Sequence, residues 1–292
     1  MPLEFEPIDM RQQDAYQEKL ALCRQIASDY SFINLWGWGP DYGLQWAWSD
    51  GLVWLKQSLP QKALWAPVGD WSNIDWGGVL EKAGTTADRI IRVPEALQKI
   101  WLDTLPSPPG IEETRGQWDY LYDRQALAEL KGNRYHKKKN LLNQFIKKYD
   151  HTYFTFSAEM VEQALAMQED WCTWRDCESD ETLAAENKAI ERVLKQWPAF
   201  KNITGGAIRV GQQIAAYTIA EAMPDRTLVI HFEKGNPEYK GSYQAINQMF
   251  LQKSADAFER VNREQDLDNE GLRKAKLSYH PIDFVRKYQA WL

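Results

Sequence analysis

Short runs of alternating apolar and polar residues recur along this chain. Between them lie stretches in which apolar positions return every three or four residues. The first pattern belongs to half-buried strands, the second to amphipathic helices. Residues 9–29 carry the helical spacing through Leu20, Leu22, Cys23 and Ile26. Residues 42–48 and 52–55 are rich in Trp, Leu and Val. They flank Ser49-Asp50-Gly51, whose Asp-Gly pair predicts a hairpin turn. A further strand is expected at 63–67, a short helix at 75–83, a strand at 89–93, and a helix opened by Pro94. The Pro-rich stretch 105–110 reads as a loop, 118–122 as a strand, and 125–130 as a helix.

The second half starts again with a strand at 152–156, then helices near 158–175 and 180–197. Strands at 206–210, 214–220 and 227–232 follow, then a helix at 242–256, a strand at 258–262 and a short helix at 269–276. The first half repeats this plan with different lengths. Two copies of one mixed α/β unit are the economical reading.

Composition narrows the class. The chain has 292 residues, 44% hydrophobic and 26% charged, with 14 Trp and 13 Tyr, which is globular and rich in large buried rings. A net charge of −6 gives no general attraction to polyanions, so any phosphate contact needs a local patch. No apolar run approaches a membrane span, and Met1-Pro2-Leu3-Glu4-Phe5-Glu6 lacks the order of a signal peptide, so a cytoplasmic protein is expected. Cys23, Cys172 and Cys177 fit reduced thiols in that setting. Four scattered His residues form no metal-ligand constellation. The Asp266–Gly271 run superficially suggests a calcium loop, but its closing position is Leu277 rather than Glu; Asp268 or Asn269 reads better as a helix cap. Gly37-Trp38-Gly39 reads as a turn, and Trp171 and Trp174 as core.

Two stretches carry the candidate chemistry. Residues 131–148 hold seven Lys or Arg and no acid: Lys131, Arg134, Lys137, Lys138, Lys139, Lys147 and Lys148. With Tyr135 and His136 interleaved, a basic face around Arg134, Lys138 and Lys139 suits phosphate contact; the competing reading is a solvated helix joining two domains. The second stretch runs from Glu233-Lys234 to Lys276. Glu233 is a candidate general base or the partner of a cation among Arg263, Arg273, Lys274 and Lys276. Asn247 falls on the apolar stripe of its helix and needs partners. Asn262, Arg263, Glu264 and Asp266 follow a strand, and Arg263 is suited to carboxylate or phosphate. Arg273 and Lys276 share a helix face, so both are expected to be partly buried against Glu233, Glu264 or Asp266.

The order strand, helix, helix, three strands, helix, strand resembles the GNAT acyltransferase fold. The strings from Leu130 to Asn140 and from His231 to Pro281 resemble one bacterial family, similar to the C-terminal catalytic domain of lysylphosphatidylglycerol synthases and to the Fem-type peptidyltransferases. The resemblance covers most of the chain and is specific at 130–149 and 228–281. It implies an α/β fold of two tandem GNAT-like domains with mixed central sheets: residues 1–130, a basic connecting helix at 131–150, and 151–292 carrying the site. It implies an acyltransferase, aminoacyl-tRNA as donor, and an amine or hydroxyl acceptor, either a small molecule or a peptide. In that frame Glu233 and Lys234 are catalytic at a splayed strand end. Asn247, Asn262, Arg263, Glu264, Asp266, Arg273, Lys274 and Lys276 bind substrate, and Arg134, Tyr135, His136, Lys138 and Lys139 bind tRNA phosphate. Acyl-coenzyme A is the alternative donor. The loop Asn236–Tyr243 keeps one glycine of the usual coenzyme A pattern, which weakens that donor. A non-catalytic binding module is the competing class.

Overall fold

A computed structural model describes residues 3–292. The strands are β1 (Glu6–Pro7), β2 (Gln45–Ser49), β3 (Leu52–Gln57), β4 (Ala63–Val68), β5 (Arg89–Pro94), β6 (Gly110–Glu113), β7 (Asp119–Asp123), β8 (His151–Thr155), β9 (Ile203–Val210), β10 (Gln213–Ala222), β11 (Thr227–Gly235), β12 (Arg260–Asn262), β13 (Asp283–Val285) and β14 (Lys287–Trp291). The helices are α1 (Gln13–Leu20), α2 (Phe32–Tyr42), α3 (Trp76–Gly84), α4 (Glu95–Thr104), α5 (Arg124–Glu129), α6 (His136–Lys148), α7 (Val161–Arg175), α8 (Glu181–Lys195), α9 (Ser242–Lys253) and α10 (Glu270–Leu277). The fold is α/β, with two mixed sheets flanked by helices. The chain divides into two units: residues 1–119, 265–273 and 284–292, and residues 120–264 and 274–283.

The first sheet has the order β1-β2-β3-β4-β5-β14-β6, with β4 and β5 parallel. The predicted hairpin is there: Asp50 and Gly51 both take positive φ, 57° and 79°, and join β2 to β3. Trp46, Trp54, Trp101, Tyr16 and Phe32 fill the first unit's core, Tyr16 stacking on Trp46 at 5.7 Å. The expected helix at 9–29 is only α1, and the expected turn at Gly37-Trp38-Gly39 is part of α2, which tolerates Pro40 in its last turn. Residues 110–113, at the end of the expected loop, form an edge strand on β14.

A buried charge network lies in this unit. The Lys287 ammonium donates to Asp119 at 2.6 Å and to Asp29, and Arg92 also pairs with Asp29. Asp119 further accepts the Ser28 amide and hydroxyl, both at 2.8 Å. Two cations face two acids here, and Lys287 and Asp119 are fully buried. Such a balanced, hydrogen-bonded cluster is tolerated in a core because no charge is left uncompensated.

The second sheet has the order β13-β7-β12-β11-β10-β9-β8, with β11 and β12 parallel. Each sheet thus contains a three-stranded antiparallel meander, β2-β3-β4 or β9-β10-β11, followed by a helix and a parallel strand. Among the described residues no helix is long and apolar enough to cross a membrane.

Candidate active site

The second unit opens a gap in its own sheet. The parallel pairing of β11 with β12 covers only Thr227–Val229 against Arg260–Asn262. Beyond it β11 runs on to Gly235, whereas residues 263 and 264 stay bonded to Tyr120 of the neighbouring chain segment. Unpaired strand ends of this kind leave room for side chains to converge. The β10–β11 ladder adds a bulge: Ile219 faces Phe232 and Ala220 faces Ile230, so His231 is the extra residue. A bulge re-aims its side chain, and that of His231 is buried between Glu221 and Glu264.

Successive strand residues point to opposite faces, so Glu233 and Lys234 serve two different clusters. Glu233 meets Arg263 at 2.8 Å through one carboxylate oxygen and the Asn247 amide at 2.9 Å through the other. Its side chain is 9% exposed and that of Arg263 15%. The Arg263 guanidinium lies over the Tyr279 ring at 4.8 Å, and the Lys138 ammonium over the same ring at 4.1 Å. Burial, and the facing Arg263, hold the Lys138 ammonium below its usual range. Lys276 donates to the Arg263 carbonyl. Arg263 and Lys138 thus converge on Tyr279 beside Glu233, and two cations on one side of a single carboxylate suit an anionic group.

His231 is clamped. Its Nδ1 lies 2.8 Å from Glu264 and its Nε2 3.3 Å from Glu221. Burial disfavours its charge, but the two carboxylate hydrogen bonds outweigh that and push its pKa up to about 9. Asn262 Oδ1 accepts the Glu264 amide at 2.8 Å, which fixes the backbone from which Glu264 projects.

On the other face the buried Lys234 donates to Glu186 at 2.7 Å and sits 3.8 Å above the Trp171 ring. Trp171 in turn donates to the Tyr243 hydroxyl at 2.9 Å. Burial lowers the Lys234 pKa, and Glu186 works against that shift.

The structure brings together Glu233, Asn247, Asn262, Arg263, Glu264 and Lys276 in the second unit. Asp266 and Arg273 instead belong to the first unit, where Arg273 binds Asp266 at 2.7 and 2.8 Å and Asp268 at 2.7 Å. The expectation of a partly buried Arg273 against Asp266 holds, and the half-buried Lys276 donates to the Arg263 carbonyl and lies near the Tyr120 ring. Lys274 is exposed. Asn269 caps α10 by accepting the Leu272 amide at 2.9 Å. On α6, Arg134, His136 and Lys139 are exposed and Lys138 is half-buried, but Tyr135 is buried with its hydroxyl 3.4 Å from the Tyr279 carbonyl, so it offers nothing to a phosphate. Trp171 is core as expected; Trp174 is 38% exposed. Cys172 and Cys177 form a disulfide, not reduced thiols, across the turn where Asp176 takes a left-handed conformation and ends α7. His231 stood in the string that carries the resemblance but had no role there, and Glu221 and Glu186 carried no sequence signal. A His flanked by Ile230 and Phe232 in an apolar run was the available signal.

Four amides of the loop after β11 are already engaged within the chain. The amides of Asn236, Glu238, Tyr239 and Ser242 donate to Ala215, Asn236, Asn236 and Tyr239 oxygens respectively. Gly241, at φ +92°, is required because a side chain there would run into the Leu141 carbonyl of α6. Its glycine answers to packing against α6.

Comparison with known proteins agrees with this architecture. A Bacteroides thetaiotaomicron protein of unknown function has a crystal structure that superposes with TM-score 0.91 at 31% identity, covering 99% of both chains. The L-PGS of Bacillus licheniformis superposes with TM-score 0.67 at 14% identity over 98% of this chain and 92% of that one. FemX does so with TM-score 0.58 at 9% identity over 99% and 98%. An uncharacterised protein of Mycoplasmoides gallisepticum is 26% identical over 206 residues, a match that spans 66% of this chain and 65% of that protein. Residues 20–291 match the family described as phosphatidylglycerol lysyltransferase, C-terminal, and the chain belongs to that family.

Proposed function

We propose that this chain is an aminoacyltransferase that takes its acyl group from aminoacyl-tRNA and passes it to an amine or hydroxyl acceptor. The observation that carries this reading is the convergence of Arg263 and Lys138 on Tyr279 beside Glu233 where β11 and β12 part, with Lys138 on the basic start of α6. Lys137, Lys138 and Lys139 lie in the first turn of α6, at the positive end of the helix dipole. That placement is locally unfavourable by about 0.3–1 kcal/mol per exposed charge, so a bound polyanion is the natural compensation. Family membership and the likeness to L-PGS and FemX support the same class. The repeated meander–helix–parallel strand order in both sheets supports the reading as tandem GNAT-like domains.

In this reading the acceptor's nucleophilic atom attacks the ester carbonyl and the tRNA ribose oxygen leaves. Arg263 and Lys138 hold the anionic end of the donor, and the chain acts by positioning and by stabilising developing negative charge. Glu233, with both oxygens engaged, orients Arg263 and Asn247. The engaged amides of Asn236, Glu238, Tyr239 and Ser242 speak against a coenzyme A pyrophosphate bound by those groups. A binding module without chemistry is the second reading, favoured by the same full engagement of Glu233.

The donor is tested by measuring affinity for bulk tRNA across a salt series. Lys137→Glu with Lys139→Glu should weaken binding and reduce the slope of log K against log salt by about one for each phosphate no longer neutralised. An unchanged slope and affinity in the double variant would remove tRNA from the proposal.

A further inference from the structure

A cleft of about 930 Å³ lies between α7 and α8 of the second unit, and both Cys172 and Cys177 line it. Cys172 is half-buried and Cys177 is 5% exposed. The bond between them closes the end of α7 onto the turn that leads to α8. Neither sulfur takes part in the reaction proposed above.

The segment this bond holds is the one that covers Lys234. Trp171, next to Cys172, lies 3.8 Å from the Lys234 ammonium and is anchored to Tyr243 at 2.9 Å. One turn earlier, Gln168 accepts the Tyr217 hydroxyl at 2.5 Å and is 2% exposed. One turn later, Arg175 lies over the Trp171 ring at 5.8 Å. Glu186, the acid on Lys234, comes from α8, the helix that follows the bridged turn. The last turns of α7 and the first of α8 thus form a cover over Lys234, and the disulfide ties the end of α7 to the turn that leads into α8.

We propose that Cys172–Cys177 is a reversible thiol–disulfide exchange site, entered from the α7–α8 cleft, that controls access to Lys234. An external thiolate attacks the more exposed Cys172 sulfur and forms a mixed disulfide; the bond to Cys177 breaks, and Cys177 leaves as a thiolate that takes a proton from water. A second thiol attacks the outer sulfur of the mixed disulfide and releases Cys172. Two thiols are oxidised to one disulfide, and the protein gains two S–H groups. The cleft carries Glu162, Glu169, Asp176 and Glu191 against Lys188 and Lys195, so uncharged or cationic thiols are the preferred co-reactants. Reduced chains lose the tie at the end of α7, which then opens locally and takes Trp171 off Lys234.

The test counts thiols and labels lysines. The diamide-treated chain, unfolded without reductant, should show the single thiol of Cys23, and three thiols after dithiothreitol. Reductive methylation read by peptide mass spectrometry should then label Lys234 about tenfold faster after dithiothreitol treatment and removal, because labelling follows the open population. The exposed Lys253 should not change. Cys172→Ser with Cys177→Ser should label fast with or without reductant, and Trp171→Ala should label fast while oxidised. Three thiols in the diamide-treated chain would overturn the proposal. So would a Lys234 rate that ignores reduction, a result readable in the wild-type chain alone.

Discussion

His231 is the residue whose removal is most readily quantified. Its folded pKa of about 9 lies above the ordinary value of 6.5, because Glu221 and Glu264 hold the ring from both sides against the cost of burial. The folded chain therefore binds this proton more tightly than the unfolded one. The resulting stabilisation is complete below about pH 6.5 and is lost as pH rises through about 9. At about 1.4 kcal/mol per tenfold change in proton affinity, the gap amounts to about 3 kcal/mol. Urea unfolding of wild type and His231→Gln at intervals from pH 6 to 9.5 reads the effect, since titrating groups outside the clamp cancel in the difference. The wild type's advantage should shrink by about that amount across the range. Parallel stability profiles for the two chains would refute the clamp.

The Glu233–Arg263 pair predicts that Arg263→Ala, which strands a buried carboxylate, costs about 3–5 kcal/mol in urea unfolding. The exposed Lys253→Ala should stay within about 0.5 kcal/mol of wild type. In the first unit, Lys287→Met leaves Asp119 and Asp29 short of a shared cation and should lower stability by about 3–5 kcal/mol in the same assay, more than any exposed lysine. Gly241→Ala forces a side chain into a left-handed position against the Leu141 carbonyl, and a loss of about 1–3 kcal/mol in thermal or urea unfolding is expected.

Elements set by local rules were legible in the sequence. Asp50-Gly51 specified its hairpin because two successive positive-φ positions favour that pair. The β9–β10–β11 meander and the helix α9 followed from periodicity alone. Helix α2 did not, because Gly37, Gly39 and Pro40 read as turn residues while long-range burial of Phe32, Ile33 and Leu35 decides the matter. The expected helix at 9–29 stops early for a similar reason: Ser28 and Asp29 are drawn into bonds with Asp119 and Lys287, partners roughly ninety and two hundred and sixty positions away. In the site, Glu233, Asn247 and Arg263 were nameable as polar residues in segments whose neighbours demand burial, and Arg263 stood among the candidate cations for Glu233. The clamp on His231 was not, since Glu221 reads as an ordinary strand residue until the bulge at His231 aims the ring at it. Nor was the separation of Asp266 and Arg273 from Glu233, because the chain passes from one unit to the other between Glu264 and Gln265.

We propose aminoacyl transfer beside the free end of β11. The direct measurement is the loss of labelled amino acid from separate aminoacyl-tRNA pools incubated with the purified chain, run beside acyl-coenzyme A thioesters. Wild type should accelerate deacylation of at least one aminoacyl-tRNA and leave the thioesters untouched, and Arg263→Lys should lose the acceleration while remaining folded, because a lysine cannot keep the planar contact with Glu233 and Tyr279. Decay of every aminoacyl-tRNA at its rate in buffer alone, with amine and hydroxyl acceptors supplied, would contradict it.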